Sequence, residues 1–108
     1  MENDKILWKV YCGLKTRTGE RIDPNLPIRA ADRFFPDGYT LYRANGRWKG
    51  ENEETLIFEI LVPWGAGNNI VEFARALCAV AIQESILVTC VTLRDNFLVS
   101  LKESWGND

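Results

Sequence analysis

The feature that most constrains the fold is a change of hydrophobic period, from two to 3.6 and back, made twice along the chain. Ile6 to Leu14 alternates, with Ile6, Trp8, Val10, Cys12 and Leu14 on one side and Lys9 and Tyr11 on the other. That is the pattern of a half-buried strand. After a polar loop, Pro24 and Pro27 open a short helix over 28–35, Pro27 being tolerated in a first turn. Pro36-Asp37-Gly38 ends it in a turn. Tyr39 to Lys49 then reads as an aromatic-rich strand, and Gly50 to Glu54 as an acidic turn. Thr55 to Val62 is apolar nearly throughout, as a central strand is.

Pro63-Trp64-Gly65-Ala66-Gly67 breaks that strand, and the helical period returns. Asn69 is a natural N-cap, with Glu72 three residues on in a capping-box arrangement. Ile70, Phe73, Ala74, Leu77, Cys78 and Ala81 then fall on one face of an amphipathic helix. Val71, Val80 and Ile82 widen the apolar surface, so a second subunit is expected to cover part of it. Ile86 to Leu93 and Phe97 to Leu101 read as two further strands joined at Arg94-Asp95-Asn96.

This order predicts an α+β fold: a ferredoxin-like split β-α-β antiparallel sheet with an extra C-terminal strand and two helices on one face. A chain of 108 residues is expected to make one domain, 1–108. The other sheet face is left open. Tyr11, Tyr42 and Trp48 are too apolar for a solvated face, which predicts a homo-oligomer (a dimer or an assembly of dimers) or a ligand groove.

Composition removes several mechanisms. There is no histidine, the commonest general base and zinc ligand. Thirteen Lys+Arg against fifteen Asp+Glu give a net charge of −2, so no DNA or RNA polymer is expected as a partner. A cysteine nucleophile would lack its usual base, and no G-x-S-x-G elbow is present. No EF-hand spacing occurs, and Glu51, Glu53 and Glu54 read as a solvated charged turn. Catalytic residues, metal ligands and cofactors are therefore all expected to be none.

Cys12, Cys78 and Cys90 are an odd number without C-x-x-C spacing, read as buried free thiols of a reducing compartment. Met1 to Lys5 is acidic and lacks the apolar core of a signal peptide. Val71 to Ile82, the longest mostly apolar stretch, contains Glu72 and Arg75 and is too short to span a bilayer. A cytoplasmic protein with no membrane partner is expected.

Three polar sets remain as binding candidates. The loop Gly65 to Asn69 follows a strand and opens a helix, so its backbone N–H groups suit a phosphate, with Asn68 and Asn69 in it and Trp64 beside it. It lacks the lysine and hydroxyl residue of a Walker loop. Arg47 and Trp48, near Arg43 and Lys49, combine forked donors with a flat ring. Gln83-Glu84-Ser85 closes the long helix, and Arg94 and Asp95 sit in the last hairpin. Plain capping, edge protection and local pairing are the ordinary roles of the same residues.

The combination Tyr11-Cys12-Gly13-Leu14, Phe35-Pro36-Asp37-Gly38-Tyr39-Thr40, Gly46-Arg47-Trp48-Lys49-Gly50 with Glu54, and Gln83-Glu84-Ser85 resembles a small bacterial and phage domain family. It also resembles the phage anti-Thoeris sponge proteins. That resemblance implies a non-enzymatic protein of the host cytoplasm, one that sequesters cyclic ADP-ribose-type signals, and in some members cyclic oligonucleotides. It implies homo-oligomers with ligand pockets between subunits. The residues suit such a ligand in kind. Arg47 and Arg94 would meet phosphates; Trp48, Trp64 or Phe73 the adenine; Asp95 or an asparagine the ribose; Gln83 another wall. Two other readings stand beside it: a small dimeric ferredoxin-like enzyme of the isomerase or monooxygenase type, and a ligand-free structural or regulatory dimer.

Overall fold

The computed structural model describes residues 4–63 and 68–100, except the side chains of Trp48 and Asn68. Its elements run β1 (Lys5–Gly13), α1 (Asn25–Phe34), β2 (Thr40–Trp48), β3 (Glu51–Pro63), α2 (Asn68–Val80) and β4 (Leu87–Leu93). The strands form one sheet in the order β2-β3-β1-β4, with every neighbouring pair antiparallel. This is the split β-α-β arrangement: each helix joins two strands that hold a third between them. The expected α+β class holds.

The register explains the core. Val10, Cys12, Leu56, Phe58 and Ile60 point to the helices by strict alternation and are all at most 2% exposed. Pro27, Ala30 and Ala31 of α1 and Ile70, Phe73 and Leu77 of α2 close over them. Phe73 sits at the centre, edge-on to Phe58 at 5.3 Å and to Phe35 at 5.2 Å. Such pairs add about 0.5–1.5 kcal/mol beyond the area they bury.

The opposite face carries Leu7, Tyr11, Ile57, Leu61, Leu87 and Val91, with Tyr11 paired to both Ile57 and Leu87. Leu61, Leu87 and Val91 are exposed. One polar patch interrupts it, where Glu59 accepts from Tyr42 Oη at 2.9 Å and pairs with Lys9 at 3.6 Å.

Four local expectations change. β3 begins at Glu51, so the acidic residues lie in the strand and the turn shrinks to Lys49-Gly50. Both turn residues have positive φ, 50° and 81°, the geometry that lets a two-residue loop follow the strand twist. The helix expected over 28–35 starts at Asn25, its first turns stabilised by Asp23, whose Oδ1 and main-chain carbonyl accept from the amides of Asn25 and Leu26. Among the described residues, 97–100 are not part of a strand, and Leu101 lies outside them. Of the three thiols, all free, only Cys12 is buried; Cys78 is half-buried and Cys90, on the edge strand β4, is exposed.

Candidate functional site

At the C-terminal end of β1 the chain does something the helix–strand pattern does not require. Leu14 continues the pairing to β3 through its amide, which donates to the Glu54 carbonyl at 3.0 Å. The chain then folds into a small hairpin closed by the Lys15–Arg21 bridge and turned at Gly19, whose φ is +93°. Thr16 organises the tip: its hydroxyl oxygen accepts from the amides of Thr18 and Glu20.

The end of α2 meets this hairpin. Ile82 adopts a left-handed φ of 48°, a conformation usually left to glycine or asparagine, and the Gln83 amide closes back on the Cys78 carbonyl at 3.0 Å. A β-branched residue there is strained. The strain has a structural result. It turns Gln83 so that its side-chain amide donates to the carbonyls of both Gly13 and Lys15, and the Arg17 amide donates to the Ile82 carbonyl.

Between hairpin, helix end and the start of β3 lies a groove of about 450 Å³. One wall is Lys15, Thr16 and Arg17; the floor is Glu51, Asn52 and Glu53; the far wall is Gln83, Glu84 and Ser85. Glu53 Oε1 and the Gln83 amide converge over Gly13, where a Cβ would stand 2.8 Å from the first and 3.4 Å from Gln83 Oε1. Arg17 is paired with Glu84 at 3.8 Å. Among the described residues Glu51 and Glu53 pair with no cation. The groove is thus acidic at its floor and suited to a positively charged ligand.

A smaller recess of about 150 Å³ adjoins it, sharing Lys15 and Asn52 and adding Leu14, Arg21 and Glu54. Here Glu54 is bracketed by Arg21 at 3.4 Å and Arg43 at 3.6 Å. Among the described residues, no group of three or more His, Cys, Asp or Glu is placed to hold a metal ion.

The residues singled out in the sequence divide between the two ends of the sheet. Arg47 and Trp48 pair with Asn52 and Glu51 at the start of β3, and Gln83 is at that same end. Asn69 follows the other end, where Lys5 pairs with Pro63, and Arg94 and Asp95 follow β4 where Leu93 also pairs with Lys5. β3 has 13 residues, so its ends are roughly 40 Å apart at about 3.3 Å per residue. Within one protomer the two sets do not meet. Arg47 donates to the Gly50 carbonyl at 2.7 Å, closing the β2–β3 turn. Phe73 is wholly enclosed in the core. Asn69, Arg94 and Asp95 are exposed. Trp64 lies outside the described residues, as do the side chains of Trp48 and Asn68.

Reading the sequence missed Gly13, Lys15, Thr16, Arg17 and Asn52, and set Glu51 and Glu53 aside as a charged turn. The signal available was Gly13, a glycine at the end of an alternating strand, which marks close approach of another group.

No family model and no curated protein matches the chain. A solved structure does match: a phage SAM lyase in complex with S-methyl-5′-thioadenosine, 11% identical, with a TM-score of 0.66 and 91% of each chain covered. At that identity the likeness is one of fold. It corrects the expectation of a non-enzymatic sponge for cyclic ADP-ribose-type signals, because that matching protein is an enzyme and its ligand is S-methyl-5′-thioadenosine. Among the described residues, no helix is long and apolar enough to cross a membrane.

Proposed function

We propose that this protein is a lyase acting on S-adenosylmethionine, releasing S-methyl-5′-thioadenosine. The observation that carries the reading is the acidic floor of the groove, where Glu53 and Gln83 converge over Gly13. The likeness of its fold to that of a phage SAM lyase supports this substrate class.

The chemistry suits a chain without histidine. A sulfonium sulfur already carries the positive charge that makes it a leaving group. When the carbon–sulfur bond breaks, its electron pair stays on sulfur and the thioether departs neutral, so no acid is needed to protonate it. The four-carbon remainder closes onto its own carboxylate, or gives a proton from the carbon beside the broken bond to a floor carboxylate, and neither route consumes water. What the protein must supply is position and field. Glu51 and Glu53 attract the sulfonium and the substrate ammonium, Gln83 holds the wall, and partial exclusion of water strengthens both effects.

We also propose that the protein works as a homo-oligomer, most simply as a dimer, because Leu61, Leu87 and Val91 stay exposed on the sheet face opposite the helices. Light scattering that returns the 12.3 kDa monomer mass would refute this part.

The test of the activity is incubation with S-adenosylmethionine followed by chromatography of the adenosyl products. Wild type should release S-methyl-5′-thioadenosine. Glu53→Gln keeps the shape and removes the charge, and should slow release about a hundredfold with the circular dichroism unchanged. Substrate recovered intact from folded wild type would overturn the reading.

A further inference from the structure

The groove is not uniform in charge. Its floor carries Glu51 and Glu53, whereas the recess beside it is lined by Leu14, Lys15, Arg21, Asn52 and Glu54, the Glu54 carboxylate being offset by Arg21 and Arg43. Alternation along β3 turns the Glu53 and Glu54 side chains to opposite sides of the strand. The two compartments still adjoin, since Lys15 and Asn52 belong to both.

We infer that the recess at Lys15, Arg21 and Asn52 is the subsite for the carboxylate at the amino-acid end of the substrate. This rests on the lyase reading and names which part of the substrate goes where. S-adenosylmethionine carries two positive groups and one negative group, and the sulfur-to-carboxyl span of an extended methionyl chain is about 5 Å. The recess adjoins the groove through Lys15 and Asn52, so an amino acid whose sulfonium lies over Glu53 extends its tail toward it.

The donors there are free to respond. Arg21 and Arg43 each touch Glu54 through a single nitrogen at long range, 3.4 and 3.6 Å, which leaves most of each guanidinium fork available. Both arginine side chains are more than half exposed, and exposed pairs of this kind contribute little, so a ligand carboxylate can share or replace the contact. Lys15 makes no ion pair among the described residues. The recess volume of about 150 Å³ accommodates a carboxylate.

The test compares two unreactive ligands that differ in the amino-acid tail: S-adenosylhomocysteine, which has it, and S-methyl-5′-thioadenosine, which lacks it. Both are titrated calorimetrically into wild type, Arg21→Gln and Lys15→Met. Arg21 is exposed, so its replacement leaves the fold intact. Each substitution should weaken S-adenosylhomocysteine about tenfold and S-methyl-5′-thioadenosine less than about twofold. Wild type that binds both ligands, with variants that weaken both equally or neither, would overturn the subsite and leave the lyase reading standing. Wild type that binds neither ligand would overturn the lyase reading and the subsite with it.

Discussion

Glu53 holds its carboxylate in the space that a side chain on residue 13 would need: a Cβ on Gly13 would stand 2.8 Å from Glu53 Oε1. Gly13 ends β1 and Glu53 lies near the start of β3, so antiparallel pairing brings them together. The missing side chain lets the carboxylate lie down on the strand beside Gln83.

Gly13→Ala should therefore act on the groove more than on the fold. The clash is with the far end of a flexible side chain, which can swing away. Melting temperature should shift by only a few degrees (~2–4 °C). Release of S-methyl-5′-thioadenosine should fall about tenfold, because the displaced carboxylate no longer faces the sulfonium. A variant with full activity would separate Glu53 from the chemistry.

Ile82 and Gln83 make opposite contributions at the end of α2. Ile82 is 55% exposed and left-handed, so Ile82→Asn relieves strain with little lost packing and should raise stability by about 1 kcal/mol. Gln83→Leu leaves the Gly13 and Lys15 carbonyls without their donor and should lower stability by roughly 1–3 kcal/mol. Hydrogen exchange should rise in the Thr16–Glu20 hairpin in the second variant alone. Urea denaturation and amide exchange measure both.

The thiols should react in order of exposure. Cys90 on the edge strand should label fastest with a disulfide reagent, Cys78 more slowly, and Cys12 only as fast as the protein unfolds. Mass spectrometry after timed quenching resolves the three. Early modification of Cys12 would contradict the packing at the centre of the sheet.

Alkaline pH should weaken the fold. Burial, and after it the neighbouring Cys78, pushes the Cys12 thiol from 9.0 up to about 12. Burial, then the hydrogen bond to Asp32 and its charge, pushes Tyr39 from 10.0 to about 12. Both groups keep their protons longer in the folded state than in the unfolded chain. Their contribution is therefore complete below about pH 9 and is lost as pH rises toward 12. The urea midpoint should drop across that window. Cys12→Ala and Tyr39→Phe should each show a shallower drop, whatever their stability at neutral pH.

The sequence alone determined the elements that depend on neighbours close in the chain. Period two from Ile6 to Leu14, period 3.6 from Ile70 to Ala81 and the apolar run of Thr55 to Val62 specify β1, α2 and a central β3, because alternation of burial is written residue by residue. It misjudged Glu51 to Glu54, since a charged run reads as a turn unless its partner strand is known. Phe97 to Leu101 reads as a strand for the converse reason: an apolar run looks like a strand whether or not it pairs, and residues 97–100 do not extend the sheet. Only tertiary structure decided the groove. Gly13, Lys15, Glu53 and Gln83 come from separate segments, and sheet register and the left-handed turn at Ile82 bring them together. It also parted Arg47 from Asp95, which local pattern could not do, because distance along a strand becomes distance in space only once the register is known.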